Sequence, residues 1–115
     1  MTSACLFCKI VAREEPAEIV DEDGDILVIK NKFPKAPVHL LVMPRNHVSK
    51  TTAHKVDHDK LYGGLILKCG QMAEKMGLFT GNYKIIINGP AVSHFDHEHL
   101  HLLGGWAPGG EPVLE

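Results

Sequence analysis

Apolar positions along the chain change period several times, and each period predicts an element. Over residues 57–76, Leu61, Leu65, Cys69, Met72, Ala73 and Met76 recur at helical spacing, with Asp57 as cap and Gly77 as stop. Gly63 and Gly64 fall inside this main helix at about 1 kcal/mol each relative to alanine, and close packing against a sheet is the expected reason for them. Residues 7–13 fit a short N-terminal helix of about two turns, closed by Pro16. Ile19-Val20 and Ile26-Leu27-Val28-Ile29 flank the acidic stretch 21–25 and predict a β-hairpin, with Asp23-Gly24 supplying the positive φ of a tight turn. Pro34 and Pro37 mark a loop, after which 39–43 form a strand ended by Pro44. Residues 83–88 make another strand before the Gly89-Pro90 turn, and 97–103 a last one. The glycines and prolines beyond residue 103 predict an irregular tail. The order predicts an α+β fold: an antiparallel sheet of about five strands, one main helix and the short N-terminal helix.

A chain of 115 residues holds one core, so residues 1–115 are expected to form a single domain. A hydrophobic share of 44% and a charged share of 23% suit a globular protein. The net charge of −2 gives no field strong enough to gather nucleic acid or acidic lipid, which turns attention to a small ligand. No apolar run approaches the ~20 residues of a membrane span, and residues 1–5 lack the features of a signal peptide, so the expectation is a cytoplasmic protein. Eight histidines are the unusual feature, because imidazole titrates near neutrality, attacks electrophiles and binds metals. Cys5 and Cys8 form a C-x-x-C; in a reducing compartment that spacing suggests a metal or redox site rather than a disulfide. A redox pair would sit at a helix N-terminus in a βαβ unit, which the pattern lacks, and two buried apolar cysteines remain an alternative. Cys69 lies on the apolar stripe of the main helix and is assigned to the core.

His97, His99 and His101 alternate along the last predicted strand, which places their imidazoles on one face while Leu100 and Leu102 point to the core. Such a row suits a metal or a phosphate ligand. The stretch His97-Glu98-His99-Leu100-His101-Leu102-Leu103 resembles the His-x-His-x-His-x-x signature of the histidine-triad (HIT) superfamily of nucleotide hydrolases and transferases, with Glu98 departing from its apolar preference. Cys5-Leu6-Phe7-Cys8-Lys9-Ile10 is similar to the start of many bacterial members. Residues 34–47 resemble the segment whose extra histidine reaches the active site. The resemblance covers nearly the whole chain and implies a homodimer with a shared ten-stranded sheet.

It further implies that His99 attacks the α-phosphorus of a nucleotide, with His101 and His39 on the phosphate oxygens and no metal in the chemical step. The substrate class would be a purine nucleotide or an ester or amide of a nucleoside monophosphate. Phe7, Ile10 and Ile29 match the apolar base slot, although plain core packing explains them equally well. Asn31 stands where aspartate commonly meets the ribose hydroxyls, and Asn88 where an asparagine lines the phosphate site. Members that begin with Cys-x-x-Cys bind a structural zinc through two further histidines, matching His47 and His97, so Cys5, Cys8, His47 and His97 are the candidate ligands.

The segment before the triad departs from the family pattern. A Gly-Gln-Ser-Val-like stretch is replaced by Val92-Ser93-His94-Phe95-Asp96 in a shorter loop, with Ser93 a partial replacement for the missing polar group and His94 a leaving-group acid or a plain loop residue. His54 and His58 carry no motif and are expected to face solvent. Two rival functions stand beside the enzyme: a nucleotide-binding scaffold with weak catalysis, and a metal-binding protein chelating through the triad itself.

Overall fold

The structure, a computed structural model, describes residues 5–55, 58–78, 82–93 and 95–107, and within these not the side chains of residues 54, 58 and 59. The readings made for Asp57, His94 and the side chains of His54 and His58 lie outside the described residues. Helix α1 is Leu6–Val11. It ends earlier than the expected residue 13 because Arg13 takes a left-handed φ of 63°, with Arg13 N–H on the Ile10 carbonyl and Glu14 N–H on that of Lys9. Strands β1 (Ile19–Glu22) and β2 (Ile26–Lys30) form the expected hairpin. Its turn does not use a positive φ at Gly24; Asp23 Oδ1 accepts from the backbone N–H of Asp25 at 2.9 Å and of Ile26 at 2.8 Å, and this side-chain mimic of a turn holds the corner. Strand β3 is Val38–Pro44, α2 is His58–Lys75, β4 is Tyr83–Ile87 and β5 is Leu100–Gly104.

The strands make one antiparallel sheet in the order β1-β2-β3-β5-β4. One face carries Val28, Leu40, Val42, Leu100 and Leu102, packed under Leu65, Cys69, Met72 and Ala73 of α2. Leu27, Ile29, Leu41 and Met43 line the other face beneath Phe7 and Ile10 of α1. Gly77 ends α2 as expected, with a φ of 77° and Leu78 N–H returning to the Ala73 carbonyl at 2.6 Å. The explanation offered for Gly63 and Gly64 does not hold: a Cβ on Gly63 meets nothing within 4 Å, and one on Gly64 meets only Ile26 Cδ1 at 3.8 Å. The close approach is instead at Gly104, where a Cβ would run into the Asn82 carbonyl and lie 2.9 Å from Leu78 Cδ1.

The last strand starts three residues later than expected, because the chain changes partner upstream of Leu100. Val42 pairs with Leu100, but the next bridge joins Ser49 to His97, seven residues on along one chain and three back along the other. Residues 45–48 therefore leave the sheet and carry His47 outward. Glu98 N–H then donates to the Val48 carbonyl at 2.8 Å and Lys50 N–H to that of Asp96 at 3.3 Å. Only His101 of the triad lies in β5, and His97 and His99 precede it on extended chain held by residues 48–50.

Candidate active site

The triad's rings do not act as one row, because the backbone carbonyls around them assign each ring a different free nitrogen. His97 Nε2 lies 2.8 Å from the Pro44 carbonyl, which can only accept, so Nε2 carries the proton and Nδ1 is left as a ligand atom. That Nδ1 is 3.4 Å from Cys5 Sγ and 3.6 Å from Cys8 Sγ, and His47 Nδ1 is 3.3 Å from Cys8 Sγ. All four ligand atoms lie within 4.8 Å of one another. Tetrahedral zinc with sulfur and nitrogen ligands needs a sulfur–nitrogen separation of about 3.5 Å, so this donor set fits it. The Pro44 carbonyl on the far nitrogen of His97 is the outer contact that orients a metal-binding imidazole.

His99 Nδ1 lies 2.7 Å from the carbonyl of His97 and donates to it, which leaves the Nε2 lone pair as the nucleophilic position. The ring is 3% exposed and is walled edge-on by Phe7 at a centroid distance of 4.9 Å and by Phe95 at 6.4 Å. His101 stands beside it at 5.1 Å. His39 accepts from Lys35 N–H through Nδ1 at 3.0 Å, so its Nε2 holds the proton and donates to His101 Nδ1 at 2.9 Å. His101 Nε2–H is thereby fixed as a donor suited to an anionic oxygen.

Burial lowers the pKa of all four rings. For His39 the Lys35 charge adds to it; for His97 burial outweighs the Pro44 contact, and for His99 the contact to the His97 carbonyl. His101 falls to about 4, through burial first and then the charges of His99, His39 and Lys50. Because an unfolded histidine titrates near 6.5, the unfolded chain binds more protons than the native one between about pH 4 and 6.5. The His101 contribution to stability is therefore lost as pH falls through that window, at up to about 1.4 kcal/mol per pH unit. Denaturant unfolding at pH 7, 6, 5 and 4 should show a steeper loss in the wild type than in His101→Gln; parallel curves would refute this.

Phe7, Ile10, Ile29 and Asn31 line a cleft of about 720 Å³, together with Leu41, Phe33 and Phe95. Phe7, Ile10 and Ile29 are buried in the core beneath α1 and also wall the cleft. Asn31 Oδ1 accepts from Phe33 N–H at 2.9 Å, and its Nδ2 lies 3.2 Å from His39 Nε2, a meeting of two donors that leaves the amide hydrogens open to an acceptor. Asn88 follows β4, partly buried, with its carbonyl accepting from Lys50 Nζ at 2.6 Å. The Ser93 hydroxyl is engaged locally, donating to the Phe95 carbonyl at 2.9 Å. Cys69 is fully buried, and burial pushes its thiol up to about 12, as suits a core residue. Phe95 was given no role on sequence grounds; its signal is an aromatic two positions before the triad, and its ring lies tilted at 44° to that of Phe7 with centroids 4.8 Å apart.

The family described as the C-terminal binding region of scavenger mRNA decapping enzymes matches residues 4–109. A HIT-like protein of Synechococcus elongatus is 39% identical over 114 residues, covering 95% of this chain and 100% of that protein. Among solved structures, a HIT family hydrolase from Legionella pneumophila superposes with a TM-score of 0.84 at 35% identity, covering 90% of this chain and 94% of the other. A zinc-bound histidine triad family protein from Mycobacterium smegmatis superposes with a TM-score of 0.73 at 28% identity, covering 88% of this chain and 74% of the other. With its triad divided between a ring whose Nε2 is unprotonated and a cysteine–histidine cluster, and with these matches along nearly its full length, the chain belongs to the histidine-triad (HIT) superfamily and carries the fold of its bacterial hydrolases.

Proposed function

We propose that this chain is a nucleotide hydrolase or transferase that cleaves a nucleoside phosphoramidate, or a related nucleotide ester or anhydride, through a covalent intermediate on His99. The observation that carries the reading is the His99 Nδ1–H bond to the His97 carbonyl, which leaves Nε2 unprotonated beside the His39–His101 pair. Nε2 attacks the α-phosphorus, the Nε2–P bond forms and the bond to the leaving nitrogen or oxygen breaks, with its electron pair going to the leaving group, which takes a proton from solvent. Water then attacks phosphorus and gives up a proton to solvent, the Nε2–P bond breaks with its electron pair returning to Nε2, and nucleoside monophosphate departs. His101 Nε2–H contacts a phosphate oxygen, and His39 fixes the tautomer that makes this possible. Phe7, Ile10 and Ile29 hold a purine, Asn31 meets the ribose and Asn88 the phosphate side.

Zinc held by Cys5, Cys8, His47 and His97 would tie α1 to the loop after β3 and to the chain leading into β5; its contribution is structural cross-linking. The triad does not chelate as a set: among the described residues the one group whose ligand atoms gather is Cys5, Cys8, His47 and His97. The engaged hydroxyl of Ser93 favours, as a second reading, a nucleotide-binding scaffold with slow turnover. A screen of adenosine and guanosine phosphoramidates, dinucleoside polyphosphates and sugar nucleotides, scored for nucleoside monophosphate and for a chain carrying a nucleotidyl mass, separates the two; binding without either product selects the scaffold.

We also infer a homodimer formed through β4, the edge of the sheet, and the α2 face bearing Gly63, Ile66, Leu67 and Gly70, where Ile66 is 47% and Leu67 64% exposed. Sedimentation should give twice the 12.6 kDa chain mass; a monomer at micromolar concentration would overturn this. No helix among the described residues is long and apolar enough to cross a membrane, and a cytoplasmic location is part of the proposal.

A further inference from the structure

Glu98 interrupts the apolar pattern of the triad motif, and its side chain is not at the surface. The residue is 3% exposed, and Lys50, its ion-pair partner, is 5% exposed. Glu98 Oε1 accepts from Lys50 Nζ and from the backbone N–H of His99 at 2.9 Å, while Oε2 accepts from the Tyr62 hydroxyl at 2.6 Å. Lys50 Nζ also donates to the Asn88 carbonyl at 2.6 Å. One carboxylate thus joins the nucleophile's own peptide group, helix α2 through Tyr62, and the turn after β4 through Lys50.

A buried ion pair is weak evidence of stabilisation. Taking two charges out of water is expensive, and apolar replacements of similar size are often neutral or stabilising. An apolar residue at position 98 could not accept the His99 N–H. That N–H belongs to the peptide unit immediately beyond Glu98, and the carbonyl that orients the His99 ring belongs to the peptide unit immediately before it. Rotation of either unit swings the ring and its attacking nitrogen.

We propose that Glu98, held by Lys50 and Tyr62, is a positioning residue for the reaction: it locks the backbone on which the His99 ring is aimed and ties the Asn88 turn to the same point. The proposal rests on His99 being the nucleophile. Aim is decisive for such an attack, because displacement of a reacting group by about 1 Å can cost on the order of 10²-fold in rate. Phosphate contact and nucleophile then keep their relative placement through the carboxylate rather than through the ligand.

The test is the full-length double variant Lys50→Met/Glu98→Leu, which removes both charges together and leaves neither unpaired. Its melting temperature should fall by no more than about 10 °C, since the desolvation cost removed with the two charges offsets the hydrogen bonds lost by the His99 N–H, the Tyr62 hydroxyl and the Asn88 carbonyl. Turnover should fall by about tenfold or more while the dissociation constant for nucleoside monophosphate stays within about twofold. A folded double variant with unchanged turnover overturns the proposal, as does equal loss of turnover and binding, which would mark general damage to the cleft. Tyr62→Phe, which spares the ion pair, covers the case of a double variant that does not fold: kcat should fall by about fivefold at constant KM, and an unchanged kcat overturns the proposal. A second readout does not depend on the assigned chemistry. In protein labelled with ¹⁵N-histidine, the His99 Nδ1–H should exchange with solvent at least about tenfold faster in the double variant than in the wild type, and equal rates refute the lock. Unimpaired hydrolysis by His99→Ala would instead sink the catalytic reading and leave this exchange measurement to decide the role of Glu98.

Discussion

His99→Ala should lose turnover by at least about 10³-fold, a barrier increase of about 4 kcal/mol or more, and should no longer accumulate a nucleotidyl-enzyme species. The size follows from what is removed. In the proposed mechanism the His99 imidazole splits phosphoryl cleavage into two displacements, and no neighbour can take over the attack: His101 Nδ1 accepts from His39, and His97 Nδ1 faces the two cysteines. Binding is expected to survive, because the cleft walls contributed by Phe7, Ile10 and Ile29 do not include the His99 ring. Affinity for nucleoside monophosphate measured by calorimetry should stay within several-fold. Turnover at the wild-type rate would reject His99 as nucleophile, and loss of binding along with turnover would show that the ring holds the ligand rather than attacks it.

Replacing Cys5 and Cys8 by serine should take the metal content from about one zinc per chain to none and lower the melting temperature by about 10 °C, equivalent to roughly 2–3 kcal/mol at this size. Helix α1 spans only Leu6–Val11, too short to persist alone, and is held by the packing of Phe7 and Ile10 and by the cysteines at its start. Cutting the cross-link frees the helix whose Phe7 ring abuts both His97 and His99, so activity should fall with stability. Elemental analysis of protein purified without added metal reads the first effect and thermal unfolding the second. Zinc retained by the double serine variant would rule out this ligand set.

Much of the fold was legible because burial imposes a period. The stripe of α2, the run of β3 and the Gly77 stop each follow from local chemistry, and each lies within a residue or two of its predicted place. The misreadings arose where a residue's partner is distant in sequence. Gly24 was given the turn that the Asp23 side chain makes, a choice between two sound local solutions. The glycines of α2 were given a packing role against the sheet that belongs to Gly104, whose neighbour Asn82 is 22 residues away in the sequence. The start of β5 was placed at His97 because alternation continues through it, whereas pairing with β3 ends at Leu100.

For the site, the sequence by itself determined the cast: alternating histidines, a C-x-x-C and an apolar slot, each a matter of residue type and spacing along one segment. Only the tertiary structure decided which nitrogen of each ring is free, because that is set by what the other nitrogen meets. Those acceptors and donors are the carbonyls of Pro44 and His97 and the N–H of Lys35. The same holds for Glu98, which along the chain is a polar residue among apolar ones. Its meaning comes from Lys50 and Tyr62, 48 and 36 positions distant, and burial makes a partner obligatory without specifying which one.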